Sequence, residues 1–509
     1  MTKLPFAPWR TKREEHGASQ ISEIEVDGQI AVASTDGHCL KLLKFSPHAQ
    51  DSWNALDSYS GTAIFGITGS AKTTGSGAAI ACAMLEAGYG GCVFCAKPEE
   101  AQDNWIKYCT QTDRLNDMVI ISPDQPYRFD FINYELNREG RGAGQTENLV
   151  ALLSHITEIA EGKAEQQGGE AFWGRAMKEM LRNAIDLLSI SQGRMTLEEI
   201  SHLIVTAPHY PEQHQDEKWR NESFCWQCLQ QARSKEREGK LTAMQCHDFR
   251  VTYRYWMQTH AALADRTRSG IVATFTSIAD MFLHGVIREL FCSGQTNLEP
   301  DETFKDGKII IVDLPIQEYH DVGRICQGIF KYMFQRAVLR RDVKEYPRPV
   351  FLWADEAQNF ISKFDFRYQA VARSARAATV YLTQNISNYR SVLGAQGKDE
   401  AHAFLGNLKT QIFHAQGDAG TNQYASEMIS QRWMNTRNFG MSNYPQNGSG
   451  TNAGASEGIH PKLLPSAFTT LRQGGLANDW EVDAIVFQSG RVWEATGDTY
   501  LPVVFKQKF

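Results

Sequence analysis

Gly66-Ile67-Thr68-Gly69-Ser70-Ala71-Lys72-Thr73 is the stretch on which the reading of this chain turns. The apolar run Ala63-Ile64-Phe65 leads into it, and Thr74 and the small-residue segment Ala78 to Leu85 follow. Strand, glycine-rich turn, Lys-Thr and helix form the layout of a phosphate-binding loop. Backbone N–H groups of the turn and the helix N-terminus would form an anion cradle from Gly66 through Thr68, Gly69, Ser70, Ala71, Lys72, Thr73 and Thr74. Lys72 would reach the β- and γ-phosphates and the Thr73 hydroxyl would sit on Mg²⁺. Ala71 occupies the position where this pattern has glycine. If the backbone there needs a positive φ, the added Cβ is unfavourable. A plain glycine- and serine-rich turn before a buried helix is the competing explanation; the strand, turn and helix context outweighs it.

Composition sets outer bounds. A chain of 509 residues has room for two or three domains. With 42% hydrophobic and 22% charged residues it is an ordinary globular sequence. The net charge of −7 gives no argument for nucleic-acid binding from charge alone, although a basic pore can sit on an acidic particle. The ten cysteines are scattered, so reduced thiols are expected. Met1 to Arg10 contains Pro5 and Pro8 and no apolar run, so it does not read as a signal peptide. Ala78 to Ala96 is the nearest approach to a membrane span, but Glu86, Gly88, Gly90 and Gly91 split it into a helix and a strand. A cytoplasmic chain without a membrane span is expected, any membrane role coming from a partner or a segment not present here.

Read in order, residues 1–60 form an N-terminal β element, with a hairpin about Asp27-Gly28 and a strand at Leu40 to Leu43. Strands follow at Ala63 to Phe65, Cys92 to Ala96 and Met118 to Ile121, alternating with helices. The alternation predicts an α/β fold with a parallel-rich sheet covered on both faces. Helical periodicity then takes over, at Leu149 to Ile159 and Phe172 to Leu188, and Thr196 with Glu199 reads as a capping box. Residues 192–265 are assigned to an inserted all-α domain; residues 61–191 and 266–509 form the nucleotide-binding core. In the core, strands are expected at Ile309 to Val312, Val350 to Ala354, Thr379 to Leu382 and Thr410 to Phe413, and a helix at Val322 to Leu339. Asn443 to Gly458 is low-complexity Gly/Ser/Asn and reads as a mobile loop. The chain closes with an expected hairpin of Val482 to Phe487 and Val492 to Ala495, turning at Ser489-Gly490.

Asp355-Glu356 follows the apolar strand Val350 to Ala354 and supplies what the phosphate loop lacks. The first carboxylate would hold Mg²⁺ and the second would polarise the attacking water of an ATPase. Gln384, one strand later, falls on the same sheet edge and could sense the γ-phosphate, or simply cap its strand. Arg373 and Arg376 lie between these strands; Arg373 is favoured as an arginine finger toward a neighbouring subunit, against a solvated helix face. Cys225-x-x-Cys228 with Cys246-His247 invites a zinc reading, but the segment reads as helical and lacks knuckle glycines, which favours core thiols. Cys92 and Cys95 read as core.

With these motifs placed, the chain resembles the TraG/TraD-like coupling proteins of type IV secretion, the hexameric DNA-pumping ATPases of conjugation within the FtsK/HerA group. The resemblance rests on Thr68-Gly69-Ser70 before Lys72, on Lys97-Pro98-Glu99-Glu100 after the strand at Cys95-Ala96, and on Phe172-Trp173 before the Met180-Leu181 helix. It rests also on Trp353-Ala354-Asp355-Glu356-Ala357-Gln358, Arg373-Ser374, Thr383-Gln384-Asn385, Gly406-Asn407-Leu408 and the stretch from Leu471 to Val486. It implies a RecA-like P-loop NTPase motor with an all-α domain at the pore entrance. It further implies a homo-hexamer with ATP and Mg²⁺ between subunits, DNA in a central channel, and secretion or relaxosome proteins as partners. Two departures stand out: Ala71, and the lack of the N-terminal membrane anchor usual in the family. Two other readings stay open, a soluble FtsK/HerA-type DNA pump unrelated to secretion and a weakly hydrolysing P-loop adaptor for protein substrates.

Overall fold

The computed structural model describes residues 40–161, 170–393, 397–443 and 449–507. The hairpin expected about Asp27-Gly28 lies outside them. In chain order the strands are β1 (Lys41–Lys44), β2 (Ser52–Asn54), β3 (Thr62–Phe65), β4 (Gly90–Phe94), β5 (Met118–Ile121), β6 (Ile309–Val312), β7 (Val350–Ala354), β8 (Ala377–Thr383), β9 (Thr410–Phe413), β10 (Gln431–Asn443), β11 (Ser449–Pro461), β12 (Glu481–Gln488) and β13 (Tyr500–Lys506). The chain forms two compact units. One comprises the described parts of Met1–Gly91, Gln102–Asp117 and Arg341–Phe509, the other Cys92–Ala101 and Met118–Arg340.

In the first unit the hydrogen-bonded strand order is β13-β12-β9-β3-β8-β7. The inner pairs are parallel: Ile64 stands opposite both Leu382 and Ile412, and Trp353 opposite Val380. β12 runs antiparallel to β9, with Val486 opposite Ile412, and β13 antiparallel to β12. The parallel strands are buried along their whole length. That is why they read as continuous apolar runs without alternation. Parallel pairing also brings the carboxyl ends of β3, β7, β8 and β9 to one edge, so Gly66, Asp355, Gln384 and His414 all begin there. The helix Ala78–Glu86 buries seven of its nine residues, and its small side chains allow close approach to the sheet. Trp105 packs edge-to-face on Trp353 at 5.3 Å between centroids and stacks on Phe351 at 5.6 Å.

Two expectations in this unit need correction. The closing hairpin pairs β12 with β13, at 500–506, and not with Val492 to Ala495. Ser489-Gly490 does turn the chain, with Gly490 at φ 76°. The next residues are then drawn to the N-terminal segment: Arg491 donates to the Ser52 carbonyl at 2.8 Å, and Trp493 is fully buried with its ring 5.8 Å from Phe45. Burying an indole outweighs the local strand signal. The second correction is the low-complexity loop. Ser449–Pro461 forms β11, in antiparallel register with β10 from Gln431↔Pro461 to Asn443↔Ser449. Gly, Ser and Asn have weak strand propensity, so the ladder comes from long-range pairing and is not legible locally.

The second unit holds strands in the order β4-β6-β5, with Met118 opposite Ile309 and Ile121 opposite Val312 in parallel. Its other described mass is helical. The helix Glu170–Gln192 packs with Thr146–Glu161, Leu197–Val205, Phe224–Arg237 and Ala243–Arg254. The capping box forms: Thr196 Oγ1 accepts from the Glu199 N–H at 3.1 Å, and Glu199 Oε2 accepts from the Thr196 N–H at 2.9 Å. Residues 192–265 lie within this unit. Cys225 and Cys228 are buried in helix Phe224–Arg237, and burial pushes both thiols up. The helix Ile316–Arg340 kinks at His320 (φ 50°, ψ −137°). Gln327, buried inside it, donates to the carbonyls of Cys95 and Leu314 at 3.0 and 2.7 Å. No single helix among the described residues is long and apolar enough to cross a membrane.

Candidate active site

The turn after β3 is anchored from both sides. Gly66 N–H donates to the Thr383 carbonyl at 3.2 Å and Ile67 N–H to the Ala415 carbonyl at 3.1 Å. These bonds tie the turn to the ends of β8 and β9. A Cβ on Gly66 would stand 2.3 Å from Ser70 Oγ, so only glycine fits. Thr68 and Gly69 form the exposed tip, and Gly69 has φ 79°. Among the described residues the Ser70 hydroxyl is buried without a hydrogen-bond partner. The helix then opens with a wide turn, Gly77 N–H bonding the Lys72 carbonyl at 2.9 Å. A Cβ at Gly77 would meet that same carbonyl at 2.9 Å.

Ala71 has φ 58°. The condition set on the sequence is therefore met: a residue with a Cβ occupies a left-handed position that suits glycine, at a disadvantage of about 1–2 kcal/mol. Part of that is offset by the unfolded-state entropy glycine would add, about 0.4–1 kcal/mol. Ala71→Gly is expected to raise the thermal midpoint of the ligand-free chain slightly and to tighten nucleotide binding severalfold. Thermal unfolding and nucleotide titration check both, and a lower midpoint would contradict the strain.

Five of the six groups predicted to do chemistry converge at this edge. Thr73 Oγ1 donates to Asp355 Oδ2 at 2.8 Å. Lys72 Nζ stands 3.8 Å from Glu356 Oε1, both side chains almost fully buried. Glu356 is itself left-handed (φ 48°), and its N–H donates to Asp355 Oδ1 at 2.8 Å. Gln384 Nε2 approaches Glu356 Oε1 at 3.4 Å. Two adjacent buried carboxylates are thus met by one ammonium, one hydroxyl and amide donors, as burial of charge requires. Thr73 and Asp355 offer hard oxygen donors, the set that suits Mg²⁺. Thr74 faces the C-terminal strand, its Oγ1 accepting from Gln507 Nε2 at 2.9 Å. Arg373 stands elsewhere. It is exposed at the end of helix Lys363–Ala372, before β8, at the opposite end of a seven-residue strand from Gln384. At 3.3 Å per residue the strand between Arg373 and Gln384 alone spans roughly 20 Å.

Several contributors were missed. Gln358 Nε2 donates to Glu356 Oε2 at 3.0 Å, and its Oε1 accepts from Thr383 Oγ1 at 2.8 Å. It lies in the Asp355-Glu356-Ala357-Gln358 run, so only its role was hidden. Gln416 donates to the Gln384 carbonyl, and Tyr108 Oη donates to the Thr73 carbonyl at 3.2 Å. Nothing local singles these out. His414 is fully buried below the turn, bonded to Ser76 Oγ at 2.6 Å and to the Asp483 carbonyl at 3.1 Å.

Burial holds the His414 imidazole down at about 4 from its ordinary 6.5. The unfolded chain therefore takes up the proton first, and stability falls as pH drops from 6.5 toward 4. The full difference is on the order of 3 kcal/mol. His260 is lowered to about 4 in the same direction, chiefly by burial, so a variant comparison is needed. Urea unfolding between pH 7 and 4.5 is expected to show a smaller loss in His414→Gln than in the parent chain. Equal losses would remove His414 from the account.

Comparison with known proteins accords with this geometry. Residues 349–468 match the family described as the TraM recognition site of TraD and TraG. No curated protein sequence matches the chain. Among solved structures, the unbound bacterial conjugative coupling protein TrwBΔN70 superposes with a TM-score of 0.59 at 13% identity, over 92% of this chain and 89% of that one. Plasmid coupling protein TrwB in complex with ADP and Mg²⁺ gives 0.59 at 12% identity, over 93% and 90%. The same protein with a non-hydrolysable ATP analogue gives 0.58 at 11%, over 93% and 94%. At these identities the likeness establishes the fold, an α/β P-loop core of the coupling-protein type. By fold across the described chain and by sequence over residues 349–468, this protein resembles the type IV secretion coupling proteins.

Proposed function

We propose that the chain is an ATP-driven DNA translocase that acts as a coupling protein, delivering conjugative DNA or its relaxase complex to a type IV secretion channel. The observation that carries this is the meeting of Thr73 with Asp355 and of Lys72 with Glu356 at one buried sheet edge, within a coupling-protein fold. In this reading the turn 66–74 receives the triphosphate on its N–H groups, and Ala71 leaves that cradle intact but strained. Mg²⁺, held by Thr73 and Asp355, would neutralise phosphate charge. Lys72 exchanges Glu356 for the γ-phosphate, since a dianionic phosphate oxygen is the stronger partner. Glu356, released from Lys72 but still held by Gln358 and Gln384, accepts the proton of the attacking water. Gln384 reports γ-phosphate occupancy through the same carboxylate. Arg373, remote from its own site, serves a neighbour's site in a homo-hexamer, and residues 192–265 stand as an all-α insert.

The coupling-protein fold supports DNA as the substrate, and the match over 349–468 supports a relaxosome or secretion protein as the partner. Action is placed in the cytoplasm, with recruitment to the inner membrane by that partner. Contacts to DNA phosphates make translocation salt-dependent. ATP hydrolysis should rise on adding single- or double-stranded DNA, with a hexamer appearing in the same samples. The stimulation should fall steeply between 50 and 200 mM salt by roughly 10³-fold or more in DNA affinity if six or more phosphates are engaged. Hydrolysis indifferent to DNA would refute the translocase and favour the adaptor.

A further inference from the structure

The helix behind the phosphate turn opens in an unusual register. The Ala71 carbonyl accepts from Gly75 N–H at 2.7 Å, four residues on. The Lys72 carbonyl instead accepts from Gly77 N–H at 2.9 Å, and the Thr73 carbonyl from Ala78 N–H, both five residues on. Residues 73–77 therefore form a π-turn, and Ser76 is the extra residue it accommodates. Such turns are rare, mostly single, and concentrated at functional sites.

His414 is placed to hold this one. It follows β9, its N–H donating to the Phe65 carbonyl at 2.8 Å. A Cβ on Gly66 would stand 3.0 Å from the His414 Cβ, so the residue backs the phosphate turn directly. The Asp483 carbonyl can only accept, so Nδ1 carries the proton and donates to it at 3.1 Å. Nε2 is then the acceptor for the Ser76 hydroxyl at 2.6 Å. Burial keeps the imidazole neutral, as this assignment requires. The Ser76 hydroxyl has one proton to give, and the Lys72 carbonyl at 3.5 Å is the competing acceptor. By taking that proton, His414 leaves the Lys72 carbonyl to Gly77 and so to the wide turn. Ser76 and His414 are both fully buried, so solvent does not substitute for the bond.

We infer that His414 is a positioning residue for ATP hydrolysis: through Ser76 it holds the wide turn in the register that sets Thr73 against Asp355 and Lys72 against Glu356. The inference rests on reading residues 66–74 as the phosphate cradle. Relaxing the turn to the α register would remove one residue from it. The chain before Ser76 would then rotate by about 100° and slide by about 1.5 Å relative to the helix. Lys72 and Thr73 would leave their partners at the sheet edge.

The test asks for more than stability. Ser76→Ala, His414→Phe, their double variant, His414→Gln and Lys72→Ala are compared with the full parent chain. Urea unfolding, calorimetric titration with ATP in the presence and absence of Mg²⁺, and single-turnover hydrolysis are measured for each. Ser76→Ala and His414→Phe should each slow hydrolysis by about 10- to 100-fold, the scale of an ångström's misplacement. The preference for Mg-ATP over metal-free ATP should fall about tenfold in both, as when support behind a metal ligand is lost. The double variant should be no worse than the poorer single one, since one bond is removed in all three. His414→Gln, which still offers Ser76 an acceptor, should recover part of the rate. Parental hydrolysis and Mg²⁺ preference in Ser76→Ala, whatever its stability, would overturn the inference. So would losses that add in the double variant. Lys72→Ala keeps the two readings apart: parental ATP binding and hydrolysis in that variant would overturn the cradle itself. Should His414→Phe not fold, Ser76→Ala, which removes a single oxygen, decides alone.

Discussion

Glu356→Gln is expected to lower kcat for ATP hydrolysis by at least about 10²-fold while Mg-ATP binds as well as before or better. The amide cannot take a proton from water, and that removes a contribution usually worth 10² to 10⁴. Binding is spared because Glu356 supplies no donor to phosphate. It can even improve, because Lys72 is held by Glu356 Oε1 at 3.8 Å and the variant releases it. Gln358 and Gln384 each donate to a different oxygen of Glu356, so the variant's amide oxygen keeps one of these bonds while its NH₂ faces the other donor, and a small positional loss adds to the chemical one. Single-turnover hydrolysis beside equilibrium binding separates the two. A variant that hydrolyses ATP at the parental rate would show that another group is the base.

Lys72→Met should instead remove binding and turnover together. Methionine keeps the volume of the stem, so the cavity stays filled. What is lost in the proposed mechanism is a charge-assisted contact to phosphate, about 1.5–3 kcal/mol or roughly 10- to 150-fold in affinity, with a further loss in kcat because the same ammonium would stabilise the transferring phosphoryl group. The ligand-free variant also leaves Asp355 and Glu356 buried and adjacent without their ammonium. A buried pair of carboxylates without its cation is unfavourable, so the ligand-free variant should also be less stable than the parent. ATP titration, hydrolysis and urea unfolding check this. Parental ATP affinity in Lys72→Met would move the phosphate site away from residues 66–73.

Four of the site's residues are legible without coordinates. Lys72, Thr73, Asp355 and Glu356 sit in local contexts, a turn between strand and helix and the end of an apolar strand, where only a few chemistries make physical sense. Gln384 follows from counting parallel strands. Gln358, Gln416, Tyr108 and His414 do not, because a glutamine, tyrosine or histidine gains its role from what stands opposite. Their partners in the site lie elsewhere in the fold: Thr383 for Gln358, the Gln384 carbonyl for Gln416, the Thr73 carbonyl for Tyr108 and Ser76 for His414. The same division explains the strand misreadings. β11 is made of residues with little intrinsic preference for strand, and β13 displaced the nearer Val492 to Ala495 because Trp493 was buried elsewhere.

By itself the sequence determined the phosphate turn, the acidic pair, the buried parallel strands and the helical stretch between them, since each is written in contiguous residues with a characteristic period or spacing. Only the tertiary structure decided that Ala71 is left-handed, that Glu356 is clasped by Lys72 and two glutamines, and that Gln507 reaches back to Thr74. Those facts depend on geometry that packing sets, for Lys72 with Glu356 and for Gln507 with Thr74 between segments hundreds of residues apart, where a shift of an ångström makes or breaks a hydrogen bond and local preference carries no information.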